Sequence, residues 1–383
     1  MELKKFAVRY CHQQQDSGME ALFFELLKVA LGTQDGLSKN PSGKDWQELF
    51  LMCQQQAIIG VAFSTIEKLI QTGIKPPQQV LYNWIGIIEQ IKQRNKIVNQ
   101  NAVKLCNELK ASGFECCILK GQGNNLLYPD VFSRQPGDID VWIRGVRRKK
   151  DNIKGIIQFV KKHNPHGIAC YHHIDYGSYN DTEIEIHYRP AFMFNPVYNR
   201  RLQKWFSGKI CEQFIQQVEL PDIGENVNIP TVEFNVVFQL AHVYNHVLHE
   251  GIGFRQIVDY FYVLHGVGDV ELAYYKCSGI LRYLGLEKIA GAMMWVLHEK
   301  LGLPEEYLIA PMDERRGKVL LSEILRGGNF GYYDSENVKA TSRLKKNVQR
   351  VKRDLRLMRF FPSECLWEPV FRVYHLFWRM RYN

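Results

Sequence analysis

The chain has 383 residues, 46% of them hydrophobic and 23% charged, with a formal net charge of +9 at pH 7. This composition excludes a globally disordered chain, and the length suits two or three subdomains. The moderate positive bias points to an anionic partner such as a nucleotide, a nucleic acid or a membrane surface, and no stretch reaches the ~18–20 apolar residues that span a bilayer.

Residues 1–18 lack a continuous apolar segment, so no signal peptide is expected and the default location is the cytoplasm. Helical periodicity runs over 19–31 and stops at Gly32. After a loop containing Gly36, Pro41 and Gly43, Asp45 stands where it can cap a helix over 45–56. Residues 59–72 and 78–112 keep the helical pattern, which makes 1–112 an expected N-terminal helical subdomain. The pattern then changes. Residues 114–119 form a short apolar run between Gly113 and Gly121, a strand signal, and 121–128 can begin a helix. A second strand is expected at 140–143, a helix at 147–163, and two strands at 168–176 and 182–188 joined through a five-residue turn. These elements describe a small α/β domain over 113–225. From 226 to the end the chain reads as helical again, with helices over 231–249, 255–265, 271–281, 287–301, 341–360 and 368–381 and a Gly-rich aromatic loop at 327–334. The expected class is α+β, a small mixed sheet flanked by helical subdomains. The nine cysteines are scattered without a CxxC pair, which speaks against a zinc ribbon and fits a reducing compartment.

The chemistry concentrates in the middle. Asp138 and Asp140 are one residue apart, so on a strand both carboxylates leave one face while Ile139 turns to the core. Paired carboxylates repel unless a cation lies between them, and hard oxygen ligands suit Mg²⁺. Glu183 and Glu185 alternate in the same way along 182–188. If that strand lies beside 140–143, one of them completes a two-metal site of the kind that serves phosphoryl transfer. Upstream, Lys120-Gly121-Gln122-Gly123 falls at a strand-to-helix turn. Small residues there let a polyanion approach the backbone, the helix N-terminus favours anions, and Lys120 adds a point charge. Each piece also has a plainer reading: a solvated turn for the aspartates, a strand end for Lys120-Gly121, the wet face of an edge strand for the glutamates.

In this order and spacing the residues resemble the uncharacterised nucleotidyltransferases of the DNA polymerase β superfamily that carry an LKG…YP…R…GDID pattern. Here it reads Leu119-Lys120-Gly121, Tyr128-Pro129, Arg134 and Gly137-Asp138-Ile139-Asp140. An acid-x-His motif follows at Glu185-Ile186-His187, with Glu where Asp is usual. His242, His246, Arg255 and Asp259, and the loop Gly328-Asn329-Phe330-Gly331, are similar too. The turn KGQG departs from the Gly-Ser pair of other superfamily members. The resemblance implies transfer of a nucleoside monophosphate from an NTP to a hydroxyl acceptor (a small molecule, sugar, protein or RNA) with release of pyrophosphate. It implies Asp138, Asp140 and Glu185 as catalytic metal ligands for two Mg²⁺ ions, with Mn²⁺ as a substitute. Lys120, Gly121, Gly123, Arg134, His187, His246 and Arg255 would line the substrate, Lys120 and Arg134 would stabilise triphosphate charge, and Glu185 would help take the hydroxyl proton. Arg134 also reads as the partner of an acid, His187 as a supporting or packed histidine, and the whole chain as a non-catalytic binding protein that keeps the fold.

Two further features stand apart. His242, His246 and His249 share a helix face, which suits a zinc site, a cleft lining or plain packing; Arg255 and Asp259 are spaced as a helix ion pair. Residues 339–359 hold nine Lys/Arg and one acid, Asp354, with an apolar stripe at Leu344, Val348, Val351, Leu355 and Met358. The stripe is expected to dock while the basic face is solvated or binds an anionic partner such as RNA, an acidic polymer or a membrane.

Overall fold

The structure is a computed structural model and describes residues 17–145, 153–333 and 343–383. Residues 1–16, the expected helix start at 147–152, Asp334 and residues 339–342 of the basic stretch lie outside the described residues.

Four helices come first: α1 (Ser17–Leu31), α2 (Gly43–Gln55), α3 (Ile59–Gln71) and the long α4 (Gln78–Ala111). The cap of α2 is Ser42 rather than Asp45. Ser42 Oγ accepts from Asp45 N while Asp45 returns a carboxylate oxygen to Ser42 N at 2.9 Å, a reciprocal capping box. The sheet region follows with β1 (Phe114–Leu119), the short α5 (Gly121–Asn125), β2 (Ile139–Gly145), α6 (Ile153–His163), β3 (His173–Tyr179) and β4 (Thr182–His187). The sheet order is β1-β2-β4-β3; β2 and β4 run parallel and the outer pairs antiparallel.

The hairpin differs from expectation in register. Asn180 and Asp181, at φ +45° and +59°, form a two-residue turn of the kind that matches strand twist. Gly177, φ +117°, absorbs a register shift inside β3 instead of turning the chain.

Next come α7 (Pro196–Gln213), a small ribbon of β5 (Gln217–Glu219) and β6 (Asn226–Asn228), then α8 (Val232–His249), α9 (Phe254–His265), α10 (Asp269–Cys277), α11 (Ile280–Tyr283) and α12 (Glu287–Trp295), which continues as a π-turn over Val296–Lys300. The chain closes with α13 (Glu314–Gly327), α14 (Arg343–Met358) and α15 (Pro362–Tyr382). The sequence reading placed no helix at α7 or α13. α7 buries a thin stripe, Leu202 and Phe206, so its hydrophobic period is faint; α13 buries Leu320, Leu321 and Ile324 on one face, with a clear helical period over a highly charged segment. Their start signals were legible: Asn195 followed by Pro196, and Asp313, both accepting from first-turn N–H groups.

Alternation along the strands gives the sheet two different faces. Ile139, Val141 and Ile143 of β2 and Ile184 and Ile186 of β4 point one way and are almost fully buried. That face is covered by α4, whose Asn101 donates to Thr182 Oγ1 at 3.0 Å, and by α6, whose Phe159 ring lies 4.7 Å from Phe114. The opposite face carries Asp140, Trp142, Glu185 and His187; Trp142 stacks on Phe234 of α8 at 5.8 Å. One cluster of buried apolar side chains draws on elements from α1 to α15.

Two contacts fix the outer helices to this body. Gly60 lies where an added Cβ would stand 2.0 Å from the Ser133 carbonyl oxygen, so α3 approaches the loop before β2 backbone to backbone. Glu364 at the start of α15 accepts from Phe194 N at 2.6 Å and from Asn195 N at 3.3 Å. Burial outweighs those donors and pushes its carboxyl up to about 7.

Gly60→Ala should destabilise by roughly 2–3 kcal/mol in a denaturant titration, because the methyl overpacks a backbone contact; an open helical site would instead gain about 0.5–1 kcal/mol from the same change. A raised carboxyl favours the folded state fully below its ordinary pKa of 4.5 and loses that contribution as pH climbs through about 7. Thermal stability should therefore fall between pH 5 and 8, and calorimetry of Glu364→Gln should show a flatter pH profile.

Candidate functional site

β1 ends at Leu119, and the next two residues leave the sheet in left-handed conformations, Lys120 at φ +51° and Gly121 at φ +45°. A lysine rarely adopts that backbone, which costs of order 1–3 kcal/mol and persists where surrounding structure enforces it. The turn brings Lys120 Nζ to 2.8 Å from Asp140 Oδ2 and 3.1 Å from His242 Nε2. The helix that follows is five residues long, too short to supply the dipole expected of it. Gly123 packs against Ile229, which an added Cβ would meet at 3.2 Å, and it does not open onto the cleft.

The parallel register sets Glu185 directly beside Asp140. Their carboxylates and the His187 ring offer three ligand atoms within 4.8 Å of one another. His187 Nε2 lies 2.9 Å from Asp140 Oδ1 and 3.4 Å from Glu185 Oε2. His173 Nδ1 lies 2.9 Å from Glu185 Oε2 and 3.1 Å from His172 Nε2. The charges follow from these neighbours. Burial favours the neutral form of Asp140, but Lys120 and His187 outweigh it and hold its carboxyl well below the usual range. Burial is likewise outweighed at Glu185, by His173 and His187. Asp138 goes the other way: repulsion from Asp140, then burial, raises its proton affinity. Burial and the adjacent Lys120 keep His242 neutral, so it accepts from the ammonium.

Lys120, Gly121, Asp138 and Asp140 form the floor of a cleft with about 480 Å³ of empty space, part of it open to solvent. Gln239, His242 and Val243 of α8, Gln256 and Arg255 of α9, and Phe330 form the walls. Arg134 lines it as well, but its fork is spent: Nε and Nη2 donate to the two Asp259 oxygens at 2.7 and 2.9 Å, and Tyr128 Oη donates to the same carboxylate at 2.6 Å. Asp259 thus pairs with Arg134 rather than with Arg255. Arg255 donates from Nη1 to Gln135 O at 3.1 Å, lies 5.4 Å from the Phe330 ring centroid, and crosses so close to Gly137 that a Cβ there would sit 3.4 Å from Nη1. His246 meets the His242 ring edge-on at 4.3 Å and lies tilted against Phe330 at 5.3 Å, one layer behind the cleft; Glu185 and His187 also lie outside its immediate lining. His249 leaves the row and meets Glu368, 3.6 Å away. Among the described residues, no three-ligand group unites His242, His246 and His249.

Three cleft cations, Lys120, Arg134 and Arg255, face three carboxylates, Asp138, Asp140 and Asp259. A polyphosphate entering this balanced cleft needs additional positive charge. Asp140, Glu185 and His187, with three ligand atoms within 4.8 Å of one another, fit a divalent cation on that ground; Asp138 stands outside that group, and its repulsion from Asp140 is what a cation relieves. His172 and His173, which extend the donor set with nitrogen, carried no periodic or motif signal in the sequence. Only tertiary packing reveals them. Gln239 and Gln256 were missed for the same reason.

The Arg134–Asp259 pair is almost wholly buried, so Asp259→Asn should cost roughly 3–5 kcal/mol in unfolding free energy by leaving a guanidinium unpaired. Adding Arg134→Gln should recover part of that loss, and strict additivity of the two changes would argue against a direct pair.

Among solved structures, an antigenic nucleotidyltransferase-like protein from Paracoccidioides brasiliensis matches 57% of this chain and 96% of its own, at 14% identity and a TM-score of 0.35. No curated protein matches the sequence. The sequence profile of one family matches residues 42–302, which include the sheet, the Lys120 turn and both cleft walls from α8 and α9. The chain belongs to that family, described as uncharacterised nucleotidyltransferases.

Proposed function

We propose that the protein transfers a nucleoside monophosphate from an NTP to a hydroxyl acceptor and releases pyrophosphate. One observation carries the reading: the parallel register sets Glu185 beside Asp140, which with Asp138 lines a cleft edged by Lys120 and Arg255. Asp138, Asp140 and Glu185 would hold Mg²⁺, two ions by the chemistry of related folds, with Mn²⁺ as a substitute. Bound there, such ions supply Lewis-acid activation of the hydroxyl and neutralise phosphate charge.

The chain's own residues supply the rest. Lys120 provides an ammonium at the cleft floor for phosphate oxygens. Arg255 faces Gly137 from the opposite wall, and its guanidinium suits charge developing on the transferred phosphoryl group. Arg134, locked to Asp259, contributes its field and keeps the wall rigid. His173 and His187 hold Glu185 ionised, able to accept a hydrogen bond from the incoming hydroxyl. Phe330 and His242 offer flat surfaces against which a base stacks.

Calorimetric titration with each NTP tests this directly. Mg²⁺-dependent binding is expected, and Asp138→Ala/Asp140→Ala should abolish the metal dependence while keeping the fold. Transfer of label from an α-labelled NTP into a cell extract should fall at least ~100-fold in that variant, as expected when groups that act only in the transition state are removed. Nucleotide binding without any transfer would favour a binding or regulatory protein that keeps this fold, and no binding to any NTP would sink the proposal.

A further inference from the structure

The last two helices carry a surface that the nucleotide cleft does not use. Their inner faces are fixed to the body. Phe371 of α15 stacks on Phe192 at 4.9 Å, Glu364 takes the Phe194 N–H, and Leu357 of α14 is fully buried. Their outer faces are apolar as well. On α15, Leu366, Val370, Val373, Phe377 and Met380 recur every three or four residues along the side turned away from the body, and each is 53–73% exposed. Trp367 and Tyr374 border that stripe. On α14 most of the stripe expected to dock does not: Val348, Val351 and Leu355 are 45–63% exposed, while Met358 packs against the core and Arg353, Asp354 and Leu357 point inward. Isolated exposed apolar residues are ordinary, but ordered rows on two adjacent helices are not.

The charges decide what can cover these rows. The acids of the pair, Asp354, Glu364 and Glu368, are all buried, at most 5% exposed. The exposed charged side chains described on it include Arg350, Lys352, Arg359, Arg379 and Arg381, and no carboxylate. A second copy would set cations against cations. A nucleic acid would meet the cations but leave the aliphatic rows in water. An anionic bilayer surface satisfies both: acyl chains receive the apolar side chains, tryptophan and tyrosine suit the interface, and headgroup phosphates receive lysine and arginine.

We propose that α14 and α15 dock the protein, lying flat, on anionic phospholipid surfaces. No helix among the described residues is long and apolar enough to cross a membrane, so the attachment is peripheral.

Flotation of the full chain with large unilamellar vesicles tests this, using phosphatidylcholine alone or with about 30 mol% phosphatidylglycerol. At least ~10-fold enrichment on the anionic vesicles is expected, weakened when salt rises from roughly 50 to 500 mM. Val373→Asp/Phe377→Asp should lower binding by ~10-fold or more, and Arg379→Glu/Arg381→Glu should erase the preference for anionic lipid. All four sites are exposed, and unchanged NTP titrations would separate a failure to dock from a failure of the nucleotide site. Wild-type protein that stays off anionic vesicles overturns the proposal. So does a dimer in solution that Val373→Asp/Phe377→Asp turns into monomers, which assigns the face to a second copy, and so does retention on RNA in place of lipid.

Discussion

The pairing of β2 with β4 is the constraint around which the protein is arranged. Parallel strands in this register put Asp140, which water hardly reaches, side by side with the half-buried Glu185. Two carboxylates held so close in low dielectric demand compensation. Compensation arrives from four directions: Lys120 from the β1 turn, His187 from β4 itself, His173 from β3, and the neutral His242 of α8 that holds the lysine in position. The strained backbone at Lys120 makes sense in this light. A relaxed exit from β1 would send the ammonium elsewhere.

A second buried ion pair governs the shape of the cleft. Arg134 and Asp259, 125 residues apart in sequence, join the loop before β2 to α9. Asn95 of α4 supports the same loop by donating to the carbonyls of Phe132 and Arg134 at 3.1 and 2.9 Å. Gly60 presses on it from α3. The N-terminal helices therefore act on the chemistry indirectly, by holding the segment that carries Arg134 and leads into Asp138.

What could be read from the sequence was what is local. The alternation of Asp138 and Asp140, the glutamate two positions before His187, and the Lys-Gly exit from a short apolar strand all depend on neighbours within a few residues, and pattern reasoning reaches that far. The pairing of Arg134 with Asp259 is set by tertiary packing, so the sequence left the acid opposite Arg134 open and offered Asp259 its i, i+4 neighbour Arg255. The location of β3 was misjudged because Gly-Ser-Tyr reads as a turn until the positive φ of Asn180 and Asp181 shows where the chain reverses. The apolar stripe of α14 was legible as a stripe. Its direction was not, because periodicity gives a face and not what the face meets.

The cap of α9 carries a consequence for how phosphate can be recognised. Helix N-termini bind anions through N–H groups that the helix leaves free. At α9 those groups are spoken for. Gln256 Oε1 accepts from Gly253 N at 3.1 Å, Gln56 Oε1 from Phe254 N at 3.0 Å, and the Gln56 carbonyl from Arg255 N at 3.2 Å. The helix after Lys120 is a single turn. The start of α9 is therefore closed to an anion, and Lys120 and Arg255 carry its recognition together with the neutral amides of Gln239 and Gln256 that line the cleft. A hold through side-chain charges is screened by salt in a way that the rigid amides of a free helix start would not be, and it strengthens with any further cation that shares the cleft.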